Sequence, residues 1–156
     1  MTLVAEYRAA QRGQEIARLR RILAVRAMLA TGSSQARVAD ELRISQSAVS
    51  QQLRTARLPD VHPEVLVEAA APILTEVAAQ HGYSDLAVVG SVARRQARDD
   101  SDIDLLVRPA PGTSSFDFMR FKSLIENMLD RPVDLISYGG LIRGRDDDIR
   151  REAVLL

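Results

Sequence analysis

The chain has 156 residues, 46% hydrophobic and 27% charged, so it can form one ordinary domain or two small ones and is not a disordered or fibrous chain. It contains no cysteine and only two histidines, which excludes disulfides and thiolate metal sites and argues against histidine-rich zinc sites. No apolar run approaches the roughly 20 residues that span a bilayer, and the N-terminus lacks the pattern of a secretory signal. We therefore expect a cytoplasmic protein with no membrane association.

The net charge of zero hides an asymmetry along the chain. Residues 1–58 carry ten arginines and four acidic residues, a charge of +6, whereas residues 59–156 carry 11 basic and 17 acidic residues, a charge of −6. This pattern indicates two modules with different partners, although solvated helix faces that simply differ in charge would give the same imbalance.

The basic half is predicted to form three helices. They cover residues 14–30, 35–42 and 46–57, where apolar residues recur at helical spacing. Residues 3–12 extend the first helix unless Gly13 breaks it. Ser33 or Ser34 is expected to cap the second helix and Ser45 the third. Two short helices joined by a three-residue turn, after a longer helix, are typical of a helix-turn-helix.

The third helix would present short polar side chains and one guanidinium outward. We predict that these contact base edges and phosphates in a major groove: Gln46, Ser47, Ser50, Gln51 and Arg54. The segment RVADELRISQSAVSQQLR resembles the helix-turn-helix of bacterial winged-helix and repressor-type regulators, with Arg43 where many of these have glycine. The resemblance implies DNA binding, and a single small footprint is compatible with a homodimer on a palindrome. The alternative is a three-helix bundle used for dimerisation or partner docking.

The acidic half is predicted to alternate strands and helices after a linker and short helix over residues 59–71. A new helix is expected to begin at Pro72, because proline fits a first helical turn, and to end at Gly82. Predicted strands cover residues 85–89, 103–107 and 132–137, and further helices cover 91–96, 115–129 and 141–154. The expected fold class is α+β, a small mixed sheet with helices over residues 72–156, preceded by the all-α domain over 1–58.

Two acidic residues lie in the second predicted strand. Asp102 and Asp104 project to the same side, because strand side chains alternate, while Ile103 and Leu105 face the core. The two carboxylates would repel each other unless a hard cation such as Mg²⁺ bound them. Asp134 would add a third carboxylate if its strand pairs beside the second, and three carboxylates on one face suit a two-metal phosphoryl-transfer site.

The Gly90-Ser91 turn after the first predicted strand suits the other half of that chemistry. A glycine at a strand end lets the backbone approach a phosphate closely, and the following short helix offers free N–H groups. The Ser91 hydroxyl adds a donor, and Arg94 can reach the same triphosphate as a bidentate donor. We therefore predict that Gly90, Ser91 and Arg94 bind a nucleotide.

Together these motifs resemble the signature of the polymerase-β-type nucleotidyltransferase superfamily. More closely, GSVARRQARDDSDIDLLV, followed by SFDFMRFKSLIENMLDRPVDLIS with its Val-Asp-Leu strand and by a terminal IRREAVLL, resembles the minimal nucleotidyltransferases of bacteria and archaea. The resemblance implies that Asp102 and Asp104 bind two Mg²⁺ ions. It also implies that Asp134 completes the metal site and helps to deprotonate the attacking hydroxyl. Arg95 and Asp130 stand where this family commonly has glycine.

Minimal nucleotidyltransferases of this kind are often encoded beside a HEPN-domain ribonuclease and act as its antitoxin. The resemblance therefore implies transfer of AMP from ATP to a hydroxyl of a HEPN-type toxin, with DNA binding at the protein's own operator as autoregulation. The alternative is a non-enzymatic transcriptional regulator whose second module only binds nucleotide or partner. Nucleotidylation of a small hydroxylated molecule, such as an aminoglycoside, is a third hypothesis, but the chain is short for the extra substrate-binding domain that usually accompanies that activity.

Overall fold

The computed structural model describes all 156 residues. The helices are α1 (Leu3–Ala30), α2 (Gln35–Leu42), α3 (Gln46–Thr55), α4 (Pro63–Gln80), α5 (Gly90–Ala93), α6 (Ser115–Leu129) and α7 (Asp147–Glu152). The strands are β1 (Tyr83–Val89), β2 (Ile103–Pro109), β3 (Val133–Ser137) and β4 (Val154–Leu155). None of the helices has both the length and the apolar character that crossing a bilayer would take.

The four strands form one mixed sheet in the order β3-β2-β1-β4. β2 runs antiparallel to β1 and parallel to β3, and β4 pairs antiparallel with β1. The mixed α+β architecture that the sequence predicts is therefore confirmed. The predicted helix over residues 141–154 is wrong at both ends, because α7 spans only six residues and the chain then turns into β4. A two-residue strand is too short to leave a periodic signal, and it forms because the edge of β1 offers unpaired backbone groups.

The two faces of the sheet are covered differently. One face packs against α1, α4 and α6 and forms the main core, which includes Leu66, Leu74, Leu105 and Ile125 with no more than 1% exposure each. The opposite face carries a small apolar cluster around Ala87, Val89 and Leu106, covered by the C-terminal segment. The rest of that second face is left for polar side chains, and the acidic residues of β2 and β3 lie there.

Helix α1 contributes to two of the three apolar clusters of the molecule. Its residues Leu19 and Leu23 lie in the main core, while Val25 packs with Val38 and Val49 of α2 and α3. Gly13 does not break the helix, and residues 3–12 extend it, since a single glycine weakens a helix by only about 1 kcal/mol and keeps its hydrogen bonds. The helices α2 and α3 are thus anchored to the helix that also covers the sheet.

Helix α4 is continuous through Pro72, so the prediction of a helix that begins there is wrong. The helix begins at Pro63 instead. Proline has no N–H and leaves the carbonyl four residues earlier without its helical donor. Here Arg20 of α1 supplies the missing donors, since its Nη2 donates to the Glu68 carbonyl at 3.1 Å and its Nε to the Ala69 carbonyl at 3.0 Å. A contact between two distant helices therefore stabilises the helix across the proline.

The short helices α2 and α3 begin where the caps predict. The Ser34 hydroxyl accepts a hydrogen bond from the backbone N–H of Arg37, and Ser45 does the same for Ala48. Arg43, at the end of α2, adopts the left-handed conformation with φ of 55°. Helix α3 ends at Thr55, two residues before the predicted end.

Candidate active site

Three acidic side chains lie near the N-terminal ends of β2 and β3. Because these strands are parallel neighbours, Asp104 of β2 stands directly opposite Asp134 of β3. Asp102 lies just before β2, on the loop that enters it. The sequence predicts a third carboxylate on this face if β3 pairs beside β2, and this pairing is confirmed. The sheet therefore brings the carboxylates of Asp104 and Asp134 to one face.

The pKa of Asp104 reflects the charged side chains that lie close to it. The pKa of Asp104 is raised from its ordinary 3.8 to about 6, first by burial and then by the negative charge of Asp134 and a hydrogen bond with it. The charge of Asp102 acts in the same direction, and the guanidinium of Arg94 acts against it. Asp104 is thus the central group of the cluster, with an acid on either side and a cation nearby.

These carboxylates supply the oxygen ligands that Mg²⁺ prefers. The structure contains no group of three or more His, Cys, Asp or Glu side chains that is already arranged to hold a metal ion. The carboxylate donor set fits a divalent cation in its chemistry, and Asp104 and Asp134 are already within hydrogen-bonding distance of each other.

The Gly90-Ser91 turn lies directly over Asp104. Val89, the last residue of β1, pairs with Asp104, and Gly90 follows with a left-handed φ of 70°. A Cβ atom on Gly90 would lie 3.1 Å from Asp104 Cγ and would clash with the carboxylate oxygen. Only glycine combines this conformation with this approach, so the backbone of the turn reaches the acidic cluster. The Ser91 hydroxyl makes no hydrogen bond within the chain.

Arg94 meets a residue that the sequence interpretation missed. Its Nη1 donates to Glu152 Oε2 at 2.9 Å, and the backbone N–H of Gly90 donates to Glu152 Oε1 at 3.1 Å. Glu152 lies 58 positions away, at the end of α7, within the terminal IRREAVLL that forms part of the family resemblance, but no local spacing links it to the glycine turn. Only the pairing of β4 with β1 brings it to this turn.

Arg95 and Asp130, at the two positions where family members commonly have glycine, both adopt the left-handed conformation. Their φ values are 55° and 50°. Asp130 adopts this conformation as the residue that ends α6. A non-glycine residue there costs on the order of 1–3 kcal/mol, which the surrounding contacts must offset.

Arg131 is the other residue that the sequence interpretation missed, and it is only 8% exposed. Its Nη1 donates to the carbonyls of Asp99 and Ser101 at 3.1 Å each, and its Nη2 donates to those of Pro59 and Val61 at 2.8 Å each. One guanidinium therefore holds the loop before Asp102 against the segment that precedes α4. Its position in the sequence resembles any surface arginine after a helix, so no local signal identifies it.

The polar face predicted on α3 is largely exposed. Gln46, Ser47, Gln51 and Arg54 are exposed, and Ser50 is half-buried and accepts a hydrogen bond from Arg54 Nη1 at 2.9 Å. Val49, on the opposite side of the helix, is fully buried. The structure therefore brings the predicted nucleic-acid contacts together on one accessible face, well separated in sequence from the acidic cluster.

Residues 72–155 match the family described as Nucleotidyltransferase domain. A "putative protein adenylyltransferase" of Methanocaldococcus jannaschii is 36% identical over 75 residues, or 48% of this chain and 81% of the relative. The protein adenylyltransferase MntA of Thermococcus cleftensis is 32% identical over 79 residues, or 51% of this chain and 80% of the relative. A solved structure described as that of a "putative minimal nucleotidyltransferase" has a TM-score of 0.55 and 36% identity, covering 60% of this chain and 95% of that one. Because the family match over residues 72–155 spans more than half of the chain, and the acidic cluster and the glycine turn lie within the matched region, the chain belongs to the nucleotidyltransferase domain family.

Proposed function

We propose that the chain transfers AMP from ATP to a hydroxyl group of a partner protein. The observation that carries this proposal is the convergence of Asp104 and Asp134 under the Gly90-Ser91 turn, with Asp102 and Arg94 close enough to act on Asp104. The names of the relatives support adenylylation of a protein. The adjacent carboxylates and phosphate donors also match what phosphoryl transfer requires.

Each group has a defined task in this reaction. Asp102, Asp104 and Asp134 would hold Mg²⁺, which when bound neutralises charge on the phosphates and favours the ionised acceptor hydroxyl. The Gly90-Ser91 turn and Arg94 orient the triphosphate by hydrogen bonds. The acceptor oxygen attacks the α-phosphorus, the bond from that phosphorus to the bridging oxygen breaks, and pyrophosphate leaves. Asp134, the carboxylate at the edge of the cluster, takes the hydroxyl proton.

The proposed acceptor is a hydroxyl of a HEPN-type toxin encoded beside this protein, which makes the chain an antitoxin. The family resemblance is the support for this partner. Protein acceptors also suit the open, exposed setting of the site, since Asp102 and Asp134 are exposed and no separate substrate-binding domain covers them.

Incubation with α-labelled ATP, Mg²⁺ and the product of the neighbouring gene tests the transfer. We expect the wild type to label that protein and Asp102→Ala to lose the label by at least about a thousandfold, because a metal ligand is gone. Asp100→Ala, two residues away on an exposed loop position, is the matched control and should label normally. Absence of label with the wild type, although it binds ATP, would favour the non-enzymatic regulator instead.

We also propose that the exposed face of α3 binds the operator of the protein's own gene. The supports are the outward set around Gln51 and Arg54 and the +6 charge of residues 1–58. Part of this charge is used internally, since Arg20 and Arg26 hydrogen-bond to carbonyls of α4 and α6. The guanidinium of Arg54 faces solvent and remains available to DNA.

A gel-shift titration with the promoter DNA tests this second function. We expect Arg54→Ala to weaken binding about tenfold, and wild-type affinity to fall steeply with salt as phosphate contacts are screened. Arg8→Ala, which removes an exposed arginine from the distant end of α1, should change the affinity by less than about twofold. Equal affinities of the Arg54→Ala variant and the wild type would contradict a role for this face.

A further inference from the structure

The C-terminal strand brings an acid to the nucleotide turn by its register. Val154 of β4 pairs with Val88 of β1 in antiparallel orientation. Gly90 follows Val88 by two residues, just past the end of β1, and Glu152 precedes Val154 by two residues, at the end of α7. The antiparallel geometry therefore places Glu152 opposite Gly90, and the contact does not depend on a flexible tail.

The two carboxylate oxygens of Glu152 accept hydrogen bonds from two different parts of the predicted phosphate site, the Gly90 backbone and the Arg94 side chain. Oε1 accepts from the Gly90 backbone N–H at 3.1 Å, and Oε2 accepts from Arg94 Nη1 at 2.9 Å. The Glu152 side chain is 24% exposed, about half the exposure of Arg94. Such a partly buried, charge-assisted bridge is stronger than an ordinary surface ion pair.

The bridge leaves the other donors of the site available. No other group of the chain accepts a hydrogen bond from the Arg94 guanidinium, so its Nε and Nη2 are free to donate, and the Ser91 hydroxyl is also unengaged. The guanidinium lies within Coulombic range of Asp104, so it faces the acidic cluster. A guanidinium held at one nitrogen loses less rotational freedom when the others bind a ligand.

We propose that Glu152 is a positioning residue for the nucleotide. It holds Arg94 and the Gly90 amide in place, so that the remaining donors meet the triphosphate. This inference rests on the proposed function, and it makes the C-terminal strand β4 a part of the nucleotide site. The alternative is an inhibitory role, in which the Glu152 carboxylate occupies the place of a phosphate and must leave before ATP binds. A positioning role excludes this alternative.

Calorimetric titration of the full chain with ATP and Mg²⁺ distinguishes these roles. We expect Glu152→Ala to bind ATP about tenfold more weakly than the wild type, because the loss of one charge-assisted hydrogen bond has this order of effect. Glu152→Gln, which keeps the side-chain shape and one acceptor oxygen, should bind ATP about threefold more weakly than the wild type. This variant replaces Glu152→Ala in the test if the alanine variant unfolds. Asp148→Ala removes an exposed acid from the same helix and should leave the affinity unchanged.

Combination with Arg94→Ala separates positioning from a general effect on folding. In the Arg94→Ala background, Glu152→Gln should change ATP affinity by less than about twofold, because the Arg94 partner is gone and the glutamine amide oxygen can still accept from the Gly90 N–H. Additive losses, or tighter ATP binding by either Glu152 variant, would overturn the inference while leaving the proposed function in place. A wild type that binds no ATP would instead overturn the proposed function.

Discussion

Asp104→Asn is expected to abolish nucleotidyl transfer and, without added Mg²⁺, to make the protein more stable at neutral pH. Transfer should fall by at least about a thousandfold, since the central carboxylate of the proposed metal site is lost. Stability should rise because Asp104 is held near other acids in a partly buried place, where its charge is unfavourable. A catalytic residue that destabilises the fold is the expected signature of a site organised for a cation.

The pH dependence follows from the direction of the pKa shift. The pKa of Asp104 is about 6 in the folded chain and near its ordinary 3.8 in the unfolded chain. The folded state therefore binds the proton more tightly, so this group stabilises the fold below about pH 4 and loses that contribution as the pH rises through 6. A shift of two units corresponds to about 3 kcal/mol, and partial exposure and solvent screening reduce this to about 1–2 kcal/mol.

Urea unfolding at pH 4.5 and at pH 7.5 measures this effect. The gain in unfolding free energy for Asp104→Asn should be clear at pH 7.5 and small at pH 4.5. Added Mg²⁺ should raise the melting temperature of the wild type and leave that of the variant nearly unchanged. Asp100→Asn, on the same loop, should differ from the wild type by less than about 0.5 kcal/mol. A lower stability of Asp104→Asn than of the wild type at pH 7.5 would contradict the prediction that the charge of Asp104 destabilises the fold.

Arg131→Met is expected to destabilise the protein by about 2–4 kcal/mol, a large part of the 5–15 kcal/mol typical of a folded domain. Arg131 donates four hydrogen bonds to carbonyls from two separate loops, and it is almost completely buried. Methionine fills a similar length but leaves these four carbonyls without a donor. Removing a buried charge offsets part of this cost, because no carboxylate bonds to the guanidinium and its Nε has no partner.

Chemical unfolding of Arg131→Met, Arg131→Lys and Arg98→Met provides the comparison. Lysine carries the same charge but cannot reach four acceptors with a planar fork, so it should recover only a minor part of the loss. Arg98→Met removes an exposed arginine with no side-chain hydrogen bond from the same loop region and should remain within about 0.5 kcal/mol of the wild type. Equal stabilities of the Arg98→Met and Arg131→Met variants would show that the two loops hold together without the guanidinium.

Local rules in the sequence were sufficient for much of the fold. The limits of α6, the caps Ser34 and Ser45, and the cores of β1, β2 and β3 follow from periodicity and capping chemistry, which act over a few residues. The positions where family members commonly have glycine also proved informative, since Arg95 and Asp130 keep the left-handed backbone that glycine would favour. The order and spacing of the acids predicted a shared face for Asp104 and Asp134.

Contacts between distant segments decided the rest. Helix α4 continues through Pro72 because Arg20, about 50 residues earlier, donates to the carbonyls that the proline leaves open. The strand β4 forms only on the exposed edge of β1, and it alone brings Glu152 to the glycine turn. The sequence by itself therefore determined helices α2, α3 and α6, the cores of β1, β2 and β3 and the acidic motif, because these depend on neighbouring residues. Only the tertiary structure decided which distant side chains complete the site, because those contacts depend on how the sheet pairs and packs.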